Sequence, residues 1–172
     1  EHYYKIAYSA HLHGMGSNKY EYDRIGMNGR IDTIQAAILI EKLKIFKSEL
    51  NNRDKLAEYY KRQFLDLGTN IKLPKVISGA TSSWAQFTIR LPLNCDREDF
   101  QKKMKEKGIP TAIYYPIPIH CQKPYKKFPI SSDKLKNTNL LSKCVISLPM
   151  HAYLSFEDIN YISKVAHEII KN

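Results

Sequence analysis

Cysteine occurs three times, tryptophan once and arginine six times among 172 residues. Cys95, Cys121 and Cys144 are odd in number, widely spaced and form no CxxC pair. That pattern excludes a disulfide framework and a CxxC zinc site, and suits the reduced thiols of a cytoplasmic protein. No apolar run approaches the roughly 18 residues of a membrane-spanning helix, and no signal-peptide pattern opens the chain. The first residue is Glu1 and not Met, so the expectation is a sequence that begins mid-protein. Paired carboxylates, a Ser/His/Asp set and a metal-ligand cluster are also missing, which removes the common hydrolytic and metal chemistries. There is no internal repeat and no low-complexity tract.

What is present is a core. Apolar residues make up 43% of the chain and aromatics 11%, too much for disorder. The formal charge of +10 raises nucleic acid as a partner. The 21 lysines against 6 arginines argue otherwise, because base and phosphate forks favour Arg. The densest clusters, Lys102-Lys103-Lys105-Lys107 and Lys123-Lys126-Lys127, lack aromatics at stacking spacing. The expectation is a plain solvated Lys-rich surface that binds no nucleic acid; the competing reading is attraction of an anionic small substrate.

Residues 1–12 read as the end of a helix, closed by the polar loop "HGMGSNKYEYDR". After it comes "IGMNGRIDTIQAAILIEKL". Asp32 with Gln35 is a capping-box-like start. Ile31, Ile34, Ile38, Leu39, Leu43 and Phe46 then recur at helical spacing. Arg53, Leu56, Ala57, Tyr60, Phe64 and Leu67 continue one face as far as Gly68, a C-cap. Asn51-Asn52 marks a bend. Unbroken, such a helix would reach on the order of 50 Å, beyond one small domain, and would bridge domains or subunits.

After Gly68 the period changes to two. Ala85, Phe87, Ile89 and Leu91 alternate as a half-buried strand. Asp96 caps a short helix with Phe100 and Met104 inside, stopped by Gly108. Thr111 to Tyr115 reads as a second strand, ended by the prolines of "PIPIH". Ser132 or Asp133 caps a helix through Leu141, Cys144 to Pro149 is a short buried strand, and Ser155 caps a last helix striped by Ile159, Ile162, Val165 and Ile169. The alternation predicts a small α+β domain over 69–172, a sheet covered by helices. Parallel or antiparallel pairing stays open.

The ordered motifs "HGM", "IGMNGRIDTIQAAIL", "GIPTAIYYPIPIHCQKPY" and "SLPMHAYLS" resemble the DegT/StrS family of pyridoxal-phosphate (PLP)-dependent nucleotide-sugar aminotransferases. The resemblance covers nearly the whole chain but only the C-terminal half of the family's pattern. It implies an α/β protein, the C-terminal part of a fold-type I aminotransferase. Residues 1–31 would be the tail of the large PLP-binding domain, 32–68 a connecting helix and 69–172 the small domain. The lysine that forms the Schiff base is expected upstream, so this chain holds no catalytic residue and alone should be inactive.

The resemblance assigns Asn28 to the PLP phosphate of the partner subunit in a homodimer. A carboxamide can donate to phosphate, Gly26 and Gly29 allow close backbone approach, and a following helix N-terminus favours an anion. Read from the residues alone, "MNG" is equally an ordinary turn in which Asn tolerates the left-handed conformation. Arg30 either binds an anionic group of substrate or cofactor as a fork or clamps the loop to Asp23 or Asp32. Tyr114, Tyr115, His120 and Gln122 belong to a segment that lies near the active-site mouth in relatives. Their plain reading is packing tyrosines and a hydrogen-bonded histidine. His13 and Tyr20 are weaker candidates.

Three functions follow. One is transfer of an amino group, typically from glutamate, to a nucleotide-diphosphate keto-sugar for amino-sugar or surface-polysaccharide biosynthesis. A second is dehydration of such a sugar on the same fold, as in relatives that replace the Schiff-base lysine with His. The third is a non-enzymatic remnant or basic binding module.

Overall fold

In the computed structural model, which describes residues 1–18, 20–131 and 133–171, the chain divides into two compact units, Glu1–Lys47 and Ser48–Asn172. The first opens with helix α1 (His2–His11), whose last turn closes with Leu12 N–H on the Ser9 carbonyl at 3.1 Å. A loop follows, and then helix α2 (Thr33–Asp66), which runs across the division between the units. The reciprocal cap expected at its start is half present. Asp32 N–H donates to Gln35 Oε1 at 3.5 Å, the outer limit of a hydrogen bond, while Ala36 N–H reaches the Asp32 carbonyl at 2.8 Å. From Ile34 to Phe46 this helix is rich in apolar residues, and the large ones are between 44% and 77% exposed.

In the second unit α2 becomes amphipathic. Leu56, Ala57, Tyr60 and Phe64, three or four residues apart, are all buried on one face. Helical structure passes through Asn51 and Asn52 without a break, so the expected bend does not interrupt it. Gly68 ends it at φ +62°, with Thr69 N–H returning to the Phe64 carbonyl at 3.3 Å, a left-handed closure that glycine adopts without a Cβ penalty.

Strand β1 (Phe87–Arg90) pairs antiparallel with β2 (Val145–Leu148), Phe87 opposite Leu148 and Ile89 opposite Ile146. The period-two expectation holds from Phe87 to Leu91, which are buried at every second position. Ala85 is exposed, because Trp84 turns at φ +45° just before the strand. The Trp84 indole N–H donates to Asp54 Oδ1 at 2.6 Å and ties this turn to α2. Helix α3 (Arg97–Glu106) starts on Asp96, whose Oδ1 accepts from the Glu98 and Asp99 N–H groups at 2.8 and 3.0 Å. Helix α5 (Phe156–Lys171) starts on Ser155, and α3 packs against it. Phe100, Met104, Ile159, Ile162 and Val165 close the core over the Phe87 and Ile89 face, where Tyr60 stacks on Phe87 at 4.7 Å. Ile169 packs at its edge, partly buried.

Two expectations need correction. Thr111 to Tyr115 is not a strand. Ala112 alone exchanges bonds with Ser147, at 3.1 and 2.7 Å, between Pro110 and the bend at Tyr114 and the prolines beyond, so the ladder cannot propagate. The helix expected through Leu141 is α4 (Lys136–Cys144), starting later and ending three residues further on. Its cap position is Leu135, without a side-chain cap. Asp133 accepts from Leu135 N–H at 3.0 Å, so its carboxylate shapes the preceding turn, where Lys134 and Leu135 have φ +53° and +51°. Ser132 lies outside the described residues.

Candidate functional site

The sequence-predicted residues fall into two groups, one in each unit. In the first, the loop 12–29 folds back on the end of α1. Met27 N–H reaches the Ala10 carbonyl at 2.8 Å, His13 N–H the Met27 carbonyl at 3.0 Å and Gly29 N–H the His11 carbonyl at 2.9 Å. Leu12 and Asn28 form an antiparallel bridge. The turn-forming residues before α2 are therefore required by close approach. A Cβ on Gly26 would lie 2.2 Å from Gly14 N and 2.5 Å from the Ala10 oxygen.

Asn28 has no positive φ; its backbone is bridged, so tolerance of the left-handed conformation is not what selects Asn here. Its exposed side chain accepts at Oδ1 from Arg30 Nε, 3.1 Å away. A guanidinium only donates, so the amide oxygen faces it and the amide NH2 keeps its donors for another acceptor. Among the described residues no ion pair joins Arg30 to Asp23 or Asp32, so the loop-clamp reading finds no such pair. His13 and Tyr20 lie in the same loop, both exposed, His13 at φ +63°.

In the second unit Tyr114 and Tyr115, joined by a cis peptide, set their rings edge to face at 5.8 Å. With Gln122 they line a cavity of about 700 Å³ over the outer face of the sheet, walled by Thr88, Val145 and Leu141. His120 is not in that cavity. It lines a smaller one of about 370 Å³ with Tyr125 and Phe128, and its Nε2 bonds Asn139 Oδ1 at 3.0 Å. Thr88 and Ser142, which line the larger cavity from β1 and α4, and Asn139, which bonds His120 from α4, were not singled out from the sequence; they are distant in sequence and without a local signal. Among the described residues no group of three His, Cys, Asp or Glu could hold a metal, and no helix is long and apolar enough to cross a membrane.

A model of the DegT/DnrJ/EryC1/StrS aminotransferase family matches residues 1–166. The chain is 38% identical over 153 residues to UDP-2-acetamido-2-deoxy-3-oxo-D-glucuronate aminotransferase of Pseudomonas aeruginosa, covering 87% of this chain and 39% of that protein. A DegT DnrJ EryC1 StrS aminotransferase from Brucella abortus superposes with a TM-score of 0.85 at 36% identity, over 98% of this chain and 43% of that one. The Bacillus subtilis NtdA structure with bound cofactor PMP matches with a TM-score of 0.77 at 28% identity, over 95% and 38% respectively. The chain thus spans about two-fifths of the length of the proteins it resembles.

Proposed function

Because the chain belongs to the DegT/DnrJ/EryC1/StrS aminotransferase family, we propose that it is the C-terminal part of a PLP-dependent enzyme that transfers an amino group from glutamate to a nucleotide-linked keto-sugar. The similar protein of Pseudomonas aeruginosa acts on a UDP-linked 3-oxo sugar, which supports that substrate class.

The observation that carries the reading is the Asn28–Arg30 pair. A cofactor phosphate needs donors and positive charge on an accessible surface. The pair offers the unspent NH2 of Asn28, turned away from the guanidinium, and the remaining N–H groups of Arg30. These residues fit a phosphate. Asn28 would donate to it and Arg30 would hold Asn28 in that orientation while adding charge. When bound, PLP supplies the electron sink that lets an amino group move. The lysine that anchors it belongs to the part of the family fold outside this chain.

Ile25, Met27, Ile31 and Ile34, all exposed, surround the pair along the chain. So much apolar surface beside a polar site favours a covered interface, and it supports a homodimer in which Asn28 serves the partner's cofactor. Tyr114, Tyr115 and His120 then contribute to substrate binding from the small domain. A nucleotide-linked substrate and three free cysteines favour the cytoplasm.

The test is transfer itself. A full-length protein carrying this chain, given PLP, glutamate and a UDP-linked 3-oxo sugar, should yield the amino sugar by mass spectrometry. An unsaturated, dehydrated sugar formed without consumption of glutamate would replace this reading by sugar dehydration.

A further inference from the structure

The Asn28–Gly29 bond has a chemistry of its own, separate from any role in phosphate binding. Asn28 is the one asparagine of the chain followed by glycine. That order leaves the next backbone nitrogen unshielded by a Cβ, free to approach the carbonyl carbon of the asparagine side chain. Both residues are exposed, so water reaches them. The Arg30 Nε–H already donates to Asn28 Oδ1 at 3.1 Å. That oxygen takes on negative charge when Cγ is attacked, and a cationic donor already in place stabilises it.

The backbone opposes that attack. Gly29 N, the attacking atom, donates its hydrogen to the His11 carbonyl at 2.9 Å. Met27 N–H on the Ala10 carbonyl at 2.8 Å and His13 N–H on the Met27 carbonyl at 3.0 Å hold the other side of Asn28. Leu12 bridges Asn28 itself. A hydrogen-bonded amide beside an antiparallel bridge neither gives up its proton readily nor turns toward its neighbour's side chain. Release needs local opening, and a loop tied by a few bonds opens at far less cost than global unfolding.

We propose that Asn28–Gly29 is a site of spontaneous deamidation, activated by Arg30 and held shut by the attachment of the loop to α1. On opening, the Gly29 nitrogen loses its proton to water and bonds to Asn28 Cγ. The Cγ–Nδ2 bond breaks and ammonia leaves, giving a cyclic imide. Water then opens the imide at either carbonyl, to aspartate or isoaspartate. Water is the only reagent, and no oxidant or reductant takes part. Either product replaces a neutral donor by a carboxylate beside Arg30. The isoaspartyl form also puts one more carbon into the main chain between Met27 and Gly29. The amides of those two residues bond Ala10 and His11, so the lengthened loop cannot keep both bonds. Nothing in this depends on a cofactor, so it can fail while the proposed function stands, and the reverse.

The test incubates the 172-residue chain in mildly alkaline buffer, folded and in urea, and follows Asn28 by peptide mapping and isoaspartate assay. Folded wild type should lose Asn28 roughly tenfold or more slowly than the urea-unfolded chain, a comparison that needs no variant. Gly26→Ala, which should detach the loop, should lose it roughly fivefold to thirtyfold faster than folded wild type, the weight of one to two backbone hydrogen bonds. Arg30→Met should slow the loss severalfold in the folded chain and leave it unchanged in urea. In urea Asn94, followed by Cys95, should lag far behind Asn28. Equal loss of Asn28 in the folded and unfolded chains overturns the proposal, and so does equal loss in Gly26→Ala and folded wild type. Equal folded-state loss in Arg30→Met and wild type overturns the activation by Arg30. Loss at Asn94 equal to that at Asn28 in urea overturns the site itself.

Discussion

Arg30 Nε donates to Asn28 Oδ1 across 3.1 Å, from two residues further along an exposed loop. The bond fixes which end of the Asn28 amide faces outward, and it separates two explanations of the residue. A turn residue would be replaceable by Asp, which would accept from Arg30 as an ion pair. In the 172-residue chain, Asn28→Asp and Asn28→Ala should therefore both melt close to wild type. In a full-length protein PLP affinity should separate the two. A hydrogen bond to a charged group is worth about 1.5–3 kcal/mol, so Asn28→Ala should weaken PLP roughly tenfold to a hundredfold. Asn28→Asp should be worse, since it sets a carboxylate against a phosphate. Wild-type PLP affinity in Asn28→Asp would end the phosphate assignment.

Gly26 is the second residue of that loop with a specific demand on it. Any side chain there meets the backbone of Gly14 and Ala10 at 2.2 and 2.5 Å, and backbone cannot swing away as a side-chain tip can. Gly26→Ala should detach the loop from the end of α1. Hydrogen exchange should then accelerate at the Met27 and Gly29 amides, which bond Ala10 and His11. Gly29→Ala, whose nearest contact is the His11 Cβ at 3.1 Å, should be milder. Equal protection in Gly26→Ala and wild type would mean the close approach is not needed.

Much of the fold was legible because its signals are local. The Asp96 cap, the left-handed Gly68 and the Ser155 start each follow from a few adjacent residues. The Thr111–Tyr115 segment misled because its tyrosines and β-branched residues favour a strand. Pairing is decided elsewhere, however, by what lies opposite Ser147 and by the flanking prolines. The same limit applies to the sites. Asn28 and Arg30 are two residues apart and could be read together. His120 looks like a companion of Tyr114 and Tyr115 in sequence, but a single-turn 3₁₀ helix at Ile119–Cys121 places it in another cavity, against Asn139. Sequence proximity says little about which way a side chain faces in an irregular segment.

The apolar stretch of α2 from Ile34 to Phe46 should behave as surface in this chain. Ile34→Glu, Ile38→Glu and Leu43→Glu together replace residues that are 77%, 58% and 67% exposed. They should raise solubility and reduce concentration-dependent sedimentation, with little change in the urea midpoint reported by Trp84 in the second unit. By contrast Phe87→Ala, fully buried against Tyr60 and Trp84, should cost about 3–5 kcal/mol in that midpoint. A triple variant that destabilises as much as Phe87→Ala would show that the stretch is covered within the chain.

The start of α5 makes stability depend on pH. Ser155 N–H and its hydroxyl both donate to Asp158 Oδ2, at 3.0 and 2.8 Å, and Asp158 N–H returns a bond to Ser155 Oγ at 3.0 Å. The Ser155 backbone N–H, then its hydroxyl, hold the Asp158 carboxyl below the usual carboxylate range. A carboxyl depressed in the folded state binds its proton more readily once unfolded. Its contribution is therefore complete above the unfolded value of about 3.9 and is lost as pH falls through the lower folded value. Asp133 is depressed as well, by the Leu135 N–H first, so wild type alone cannot isolate the effect. The informative quantity is the difference between wild type and Asp158→Asn in urea midpoint, followed by Trp84 fluorescence. It should favour wild type and stay constant from pH 7 down to about 4, then shrink toward zero as the pH is lowered further. Asp133→Asn should leave that difference curve unchanged, because Asp133 caps a separate turn before α4. A difference that stays constant into acid would show that the Ser155–Asp158 bonds do not stabilise the folded chain through the ionised carboxylate.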